Sequence, residues 1–127
     1  MENSNVIILD VFNNDIYPKG EFTKNRVDIA VLLHTGTSGN EYLRYLNDAL
    51  DKINSVFRIA IVISGTDVLA ADPLGGFNLS IEDVVRRDTM IIEKLEKLPI
   101  PTVFLSGGGY SKDSARAIAQ SILKLCA

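Results

Sequence analysis

Phe57-Arg58-Ile59-Ala60-Ile61-Val62-Ile63 runs into Ser64-Gly65-Thr66-Asp67. A short, β-branched run stopped by a glycine predicts a buried strand over 57–63 with a loop at its carboxyl end. Pro101-Thr102-Val103-Phe104-Leu105-Ser106 followed by Gly107-Gly108-Gly109-Tyr110 repeats that arrangement. A helical pattern separates the two, so the connection is a crossover and the strands are expected to be parallel. Parallel neighbours bring both loops to one rim of the sheet, where open α/β sheets place their sites.

Working outward, Val6-Ile7-Ile8-Leu9-Asp10-Val11-Phe12 predicts a first strand stopped by Asn13-Asn14-Asp15, and Asp28-Ile29-Ala30-Val31-Leu32-Leu33 a second. A polar stretch with Pro18 and Gly20 joins them. From Asn40, read as the cap, Leu43, Leu46, Leu50 and Ile53 recur at helical steps. Ser80 with Asp83 forms a capping-box variant, opening a helix expected to bury Ile81, Val84, Val85, Ile91, Ile92 and Leu95 before Pro99 and Pro101 end it. A last helix near 111–125 should turn Ala117, Ile118, Ser121, Ile122 and Leu125 inward. The predicted fold is α/β, a three-layer, mostly parallel sheet of four strands with flanking helices, in one domain over residues 1–127. So small a sheet leaves an edge or face that would seek a partner.

With 127 residues, 46% hydrophobic and 23% charged, the composition is that of a single globular domain. A net charge of -3 with no basic stripe excludes an electrostatic footprint for nucleic acid. No apolar run reaches membrane-spanning length, and Met1–Asn5 lacks the pattern of a signal peptide. A lone cysteine, Cys126, excludes an internal disulfide and a cysteine zinc cluster, and is expected to pack inertly in the last helix. The expected compartment is intracellular, cytoplasmic or nuclear.

Few residues can carry chemistry. Asp67 could bind a metal, orient a base or cap a helix, but alone such an acid usually bonds its own backbone. Asp72, before Pro73, reads as fixing its loop. The glycines at 107–109 let the backbone approach a ligand or take left-handed turns. Tyr110 could donate to an oxyanion or simply pack on the last helix, with equal weight. The glycine loop also suggests a phosphate cradle but lacks the Gly-Lys-Ser/Thr ending of a P-loop. His34, the one histidine, has no second ligand at metal-site spacing and reads as a loop residue.

Taken together, Ser64-Gly65-Thr66-Asp67-Val68-Leu69-Ala70-Ala71-Asp72-Pro73-Leu74-Gly75-Gly76-Phe77-Asn78-Leu79-Ser80 and Ser106-Gly107-Gly108-Gly109-Tyr110 resemble the carboxyl-terminal part of the zinc-dependent histone deacetylase family. Leu9-Asp10-Val11-Phe12-Asn13-Asn14-Asp15-Ile16-Tyr17-Pro18 and Arg86-Arg87-Asp88 are most similar to the class IV type. The resemblance extends from Val6 to Leu123. It implies an arginase/deacetylase fold, with Asp67 as the last zinc-ligating aspartate and Tyr110 as the catalytic tyrosine. It further implies that Gly107, Gly108 and Gly109 line the floor of the acyl-lysine channel, and that Asp10 and Val11 help hold a monovalent cation.

The family's Asp-x-His motif, with two zinc ligands, would lie shortly before residue 1, and its His-His pair earlier still. Neither occurs in these 127 residues. A hydrolytic zinc needs three protein ligands and an open position, and the resemblance supplies one. The leading expectation is therefore the carboxyl-terminal half of a zinc-dependent acyl-lysine deacylase, inactive alone and completed by a chain carrying the amino-terminal half. The alternative is a non-catalytic truncated fragment or interaction module that self-associates through its bare surface. A nucleotide- or phosphate-binding domain ranks below both.

Overall fold

A computed structural model describes residues 5–16 and 20–127. Met1–Ser4, and Tyr17 and Pro18 at the end of the first-loop resemblance, lie outside the described residues. The elements are β1 (Leu9–Asn13), α1 (Glu21–Asn25), β2 (Ile29–Leu33), α2 (Gly39–Leu50), β3 (Ala60–Ser64), α3 (Ile81–Lys97), β4 (Thr102–Ser106) and α4 (Ser114–Leu125).

All four expected strands are present, each trimmed or shifted by its partner. Parallel pairing sets Leu9 opposite Ile29 and Ala60 opposite Thr102. The β3–β4 ladder begins where the Ala60 amide meets the Pro101 carbonyl, so Phe57–Ile59 extend beyond any partner and stay outside the strand. β1 likewise begins at Leu9, beside the Ile8 carbonyl that accepts from Asp28 and Ile29. The short α1 has no apolar periodicity and buries nothing, which is why the polar bridge showed no sign of it.

The helix caps are local devices. Ser38, not Asn40, caps α2, its hydroxyl accepting the Glu41 amide at 3.3 Å. At α3 the capping box is complete: Ser80 Oγ accepts the Asp83 amide while the Asp83 carboxylate accepts the Ser80 amide at 2.9 Å. Leu43, Leu46 and Leu50 of α2 pack with Leu33, Val84 and Ala117 in the core, and Tyr42 meets Phe77 edge to face at 5.6 Å between centroids. Ile53 lies beyond the end of α2 and is partly buried against the same core.

Two helix faces differ from their apolar pattern. In α3 the buried set includes Arg87 and Asp88 as well as Val84 and Leu95, while Val85, Ile91 and Ile92 are half-buried. In α4 only Ala117 and Ser121 are buried; Ile118 and Ile122 are 38% and 55% exposed. The small Ala117–Ser121 stripe permits close approach to α3, and the flanking isoleucines meet no covering element. Cys126, expected to pack, is exposed for the same reason.

The strands are parallel and flanked by helices, as predicted, but they form two separate pairs, β1–β2 and β3–β4, rather than one continuous sheet. Their carboxyl ends nevertheless share one rim. Asn13 Nδ2, closing β1, donates to the Gly75 carbonyl at 3.1 Å, and Gly36, past β2, bonds to Gly76 at 2.7 Å. Gly75 and Gly76 belong to the loop that leaves β3. Between the two pairs opens a cleft of about 360 Å³, lined by Val11 and Asn13 on one side and by Ile63, Gly65 and Gly107 on the other.

On one face of the β3–β4 pair, Ser64 meets Arg87 and Asp88 of α3. The opposite face carries Ile61 (63% exposed) beside Val103 (44%), and Ile63 (72%) beside Leu105 (48%). On β2, Leu32 is 49% exposed as well. A sheet face this apolar belongs against another layer.

Candidate functional site

Asp67 and Tyr110 lie on two loops that are tied together by backbone and side-chain hydrogen bonds. The Thr66 and Asp67 amides both donate to the Gly108 carbonyl, at 2.6 and 3.2 Å. Thr66 Oγ1 donates to Ser114 Oγ, at the start of α4, at 2.8 Å. Asp72 Oδ1 accepts the Leu74 and Gly75 amides at 2.9 and 3.0 Å, the loop-fixing role expected of it. Its other oxygen reaches across to the Tyr110 amide at 2.7 Å.

None of the three glycines at 107–109 adopts a left-handed conformation; positive φ among glycines is confined to Gly36 and Gly76. Close approach is what demands them. A Cβ on Gly108 would sit 2.6 Å from Asp67 Oδ2, so a side chain there would require the carboxylate to move. The Gly108 backbone is thus packed against the carboxylate itself.

Asp67 is half-buried and faces the cleft that Gly65, Gly107 and Gly108 also line. Burial, reinforced by the nearby Asp72 carboxylate, raises its pKa above the ordinary carboxylate value, with its own amide and the Arg87 guanidinium acting against the rise. A carboxylate held in this way gains by meeting a cation. Asp10, also lining the cleft, is raised by burial too, against an opposing hydrogen bond from the Val11 amide. Tyr110 is 63% exposed at the rim.

Beneath the loop lies a network that sequence reasoning passed over. Arg87 is 4% exposed; its Nε bonds Asp88 at 2.9 Å, Nη1 the Gly65 carbonyl at 2.7 Å, and Nη2 the Ser64 hydroxyl. Ser64 Oγ in turn donates to Asp88 Oδ1 at 2.8 Å. The guanidinium therefore holds the end of β3 from which the Asp67 loop departs. Tyr42, fully buried, has its pKa raised by that burial, with Arg87 opposing. Arg87 and Asp88 fall at helical steps from Val84, Ile91 and Leu95, and two charges on an apolar stripe were the available signal.

His34 follows the carboxyl end of β2 but does not line the cleft; its side chain is 72% exposed and its Nδ1 lies 2.8 Å from Asp15 Oδ1. The Thr35 amide, and then His34, hold the Asp15 carboxyl below its usual range. Among the described residues no group of three or more His, Cys, Asp or Glu could hold a metal ion. A hydrolytic zinc takes three protein ligands, and the described residues of this chain bring no such set together.

Residues 1–126 match the family model described as the histone deacetylase domain. The chain belongs to the histone deacetylase family. It is 39% identical over 126 residues to histone deacetylase 2 of Arabidopsis thaliana, covering 98% of this chain and 33% of that relative. Among solved structures it is similar to a histone deacetylase homologue from Aquifex aeolicus, with a TM-score of 0.83 and 26% identity over 98% of this chain and 36% of that one. Acetylpolyamine aminohydrolase from Burkholderia pseudomallei, 20% identical with a TM-score of 0.68, shares the fold, over 91% of this chain and 35% of that one. The chain thus comprises part of a deacetylase domain, about a third of the length of the histone deacetylase 2 it matches. Its fold is that of the deacetylase structures, and no helix among the described residues is long and apolar enough to cross a membrane.

Proposed function

We propose that this histone deacetylase-like chain is the carboxyl-terminal half of a zinc-dependent acyl-lysine deacylase, inactive alone and active when an amino-terminal half completes it. The observation that carries this reading is the coupling of the Asp67 and Gly107–Tyr110 loops at one rim, around a half-buried carboxylate, in a chain whose one histidine does not line the cleft.

In the completed site Asp67 is one zinc ligand, and the amino-terminal half supplies the other ligands and the base. Zinc, when bound, lowers the pKa of a coordinated water and polarises the amide carbonyl. Tyr110 donates a hydrogen bond from its hydroxyl to the oxygen that becomes negative as the carbonyl carbon turns tetrahedral. Its exposure at the rim leaves that hydroxyl free to reach a substrate. Gly107, Gly108 and Gly109 form the channel floor, where the absence of side chains admits an acyl-lysine stem. Asp10 and Val11 contribute to a monovalent-cation site. The setting is intracellular, cytoplasmic or nuclear.

The test is zinc-dependent release of acetate from an acetyl-lysine peptide by the chain mixed with an amino-terminal half, with Asp67→Asn and Tyr110→Phe as controls. Activity lost in both variants is the expected result. No activity and no complex would overturn the proposal. The bare apolar face of Ile61, Ile63, Val103 and Leu105 favours a second reading, a non-catalytic module that associates through that surface. Under it, Asp67→Asn and Tyr110→Phe change stability alone.

A further inference from the structure

Arg87, Asp88 and Ser64 close a ring of hydrogen bonds. Asp88 Oδ1 accepts from Arg87 Nε at 2.9 Å and from Ser64 Oγ at 2.8 Å, while Ser64 Oγ accepts from Arg87 Nη2. A guanidinium is a planar, rigid fork, so holding two of its nitrogens in the ring fixes the direction of the third. That third nitrogen, Nη1, donates to the Gly65 carbonyl at 2.7 Å.

The Gly65 carbonyl and the Thr66 amide belong to one planar peptide unit and point to opposite sides of it. On the far side, the Thr66 N–H donates to the Gly108 carbonyl at 2.6 Å. One peptide plane is therefore gripped from both sides, by α3 through Arg87 and by the glycine loop through Gly108. A carbonyl that accepts from a cation is polarised, which strengthens the N–H of the same unit as a donor. The close approach needs a glycine at position 65, where a Cβ would crowd the Gly108 carbonyl oxygen at 3.1 Å. Asp67 follows this plane directly, and Tyr110 lies two residues beyond Gly108. A tilt of the plane would displace one loop against the other.

We propose that Arg87 is a positioning residue for the deacylase reaction, holding the Asp67 and Tyr110 loops in register by clamping the Gly65–Thr66 peptide plane, with Asp88 orienting the guanidinium. This rests on the reading of Asp67 and Tyr110 as groups of one active site. Arg87 acts through the backbone and not on the reacting atoms. A buried ion pair that served stability alone could be exchanged for apolar residues of similar volume at little loss. A clamp could not, because an apolar side chain has no donor for the Gly65 carbonyl.

The test compares the parent chain with Arg87→Met/Asp88→Leu, alone and co-expressed with the remainder of the Arabidopsis thaliana relative. In the isolated 127-residue chain, the Thr66 amide should exchange roughly tenfold faster in the variant, with the Leu95 amide of α3 unchanged. In the complex, kcat for acetate release from an acetyl-lysine peptide should fall roughly tenfold or more, with KM within about twofold of the parent value, because misplaced groups lose rate and not substrate binding. Thr66 exchange that stays unchanged, or accelerates only as much as Leu95, overturns the clamp. A variant complex that keeps the parent kcat overturns the positioning role and leaves the functional reading standing. A parent complex that releases no acetate overturns that reading and the positioning role together. If the double variant does not fold, Arg87→Lys, which keeps the charge but lacks the fork, takes its place with the same expectations.

Discussion

Asp72 Oδ2 accepts the backbone N–H of Tyr110 at 2.7 Å, across 38 residues of chain. The same carboxylate closes its own turn through Leu74 and Gly75, so one side chain sets the geometry of the loop after β3 and attaches the loop after β4 to it. An acid accepting three backbone donors while 8% exposed couples two segments that nothing local would bring together.

Asp72→Ala leaves those three amides without their acceptor. The expected loss of stability is about 1–3 kcal/mol, measured by urea unfolding. Exchange at the Tyr110 amide should accelerate more than exchange in the centre of α3. Equal acceleration everywhere would show that Asp72 supports the fold generally and does not couple the two loops.

Arg87 and Asp88 form a nearly dry ion pair at 2.9 Å. Removing one partner strands the other charge, so Arg87→Met is expected to cost about 3–5 kcal/mol. The double variant Arg87→Met/Asp88→Leu should recover much of that loss, because both desolvation costs vanish together. A double-mutant cycle by chemical denaturation checks this, and additive losses would contradict it.

Asp67 gives the stability of the isolated chain a definite pH sign. Its pKa is raised above the ordinary 3.8, so the folded state binds the proton more tightly than the unfolded chain does. The associated stabilisation is fully present below 3.8 and is lost as pH rises through the folded value. Asp67→Asn removes this dependence, and the variant should gain stability relative to the parent between acid and neutral pH. Thermal unfolding scans across that range measure the difference. A gap that stays constant with pH would refute the assignment.

Gly108→Ala introduces a Cβ that would lie 2.6 Å from Asp67 Oδ2. The Asp67 carboxylate must turn away from its present position. In the completed protein the expected result is loss of most of the zinc-dependent activity together with weaker zinc retention. Titration of zinc by calorimetry distinguishes this from simple unfolding.

The uncovered face of β3–β4 makes a separate prediction. Ile61, Ile63, Val103 and Leu105 form an exposed apolar patch, and patches of that kind drive association. Light scattering of the isolated chain should show mass increasing with concentration, and the double variant Ile63→Thr/Leu105→Thr should reduce it. A monomer at all concentrations would show that the patch is tolerated in water.

The sequence carried the local structure well. Ser80 and Asp83 specify their capping box within four residues, and the α2 leucines at helical steps reached the core as expected. The family likeness placed Asp67, Asp10 and Tyr110 in loops and strands whose positions the structure describes. Periodicity failed where burial was decided from outside the element. Ile118 and Ile122 carry an inward pattern yet are exposed, because an apolar stripe records a need for cover without stating whether the cover is in the chain. Arg87 and Asp88 entered the sequence reading only through the family resemblance, and their burial depends on Ser64 and Gly65, which satisfy the guanidinium inside.

By itself the sequence determined the order of the four strands and the three long helices, the capping box of α3 and the parallel sense of the pairing. Each of these depends on residues a few positions apart or on the geometry of a crossover connection. Only the tertiary structure decided the bond from Asp72 to Tyr110, the burial of Arg87, and the division of the strands into two pairs with a cleft between them. Those features depend on which distant groups meet and which do not, and an unpaired strand edge has the same sequence as a paired one.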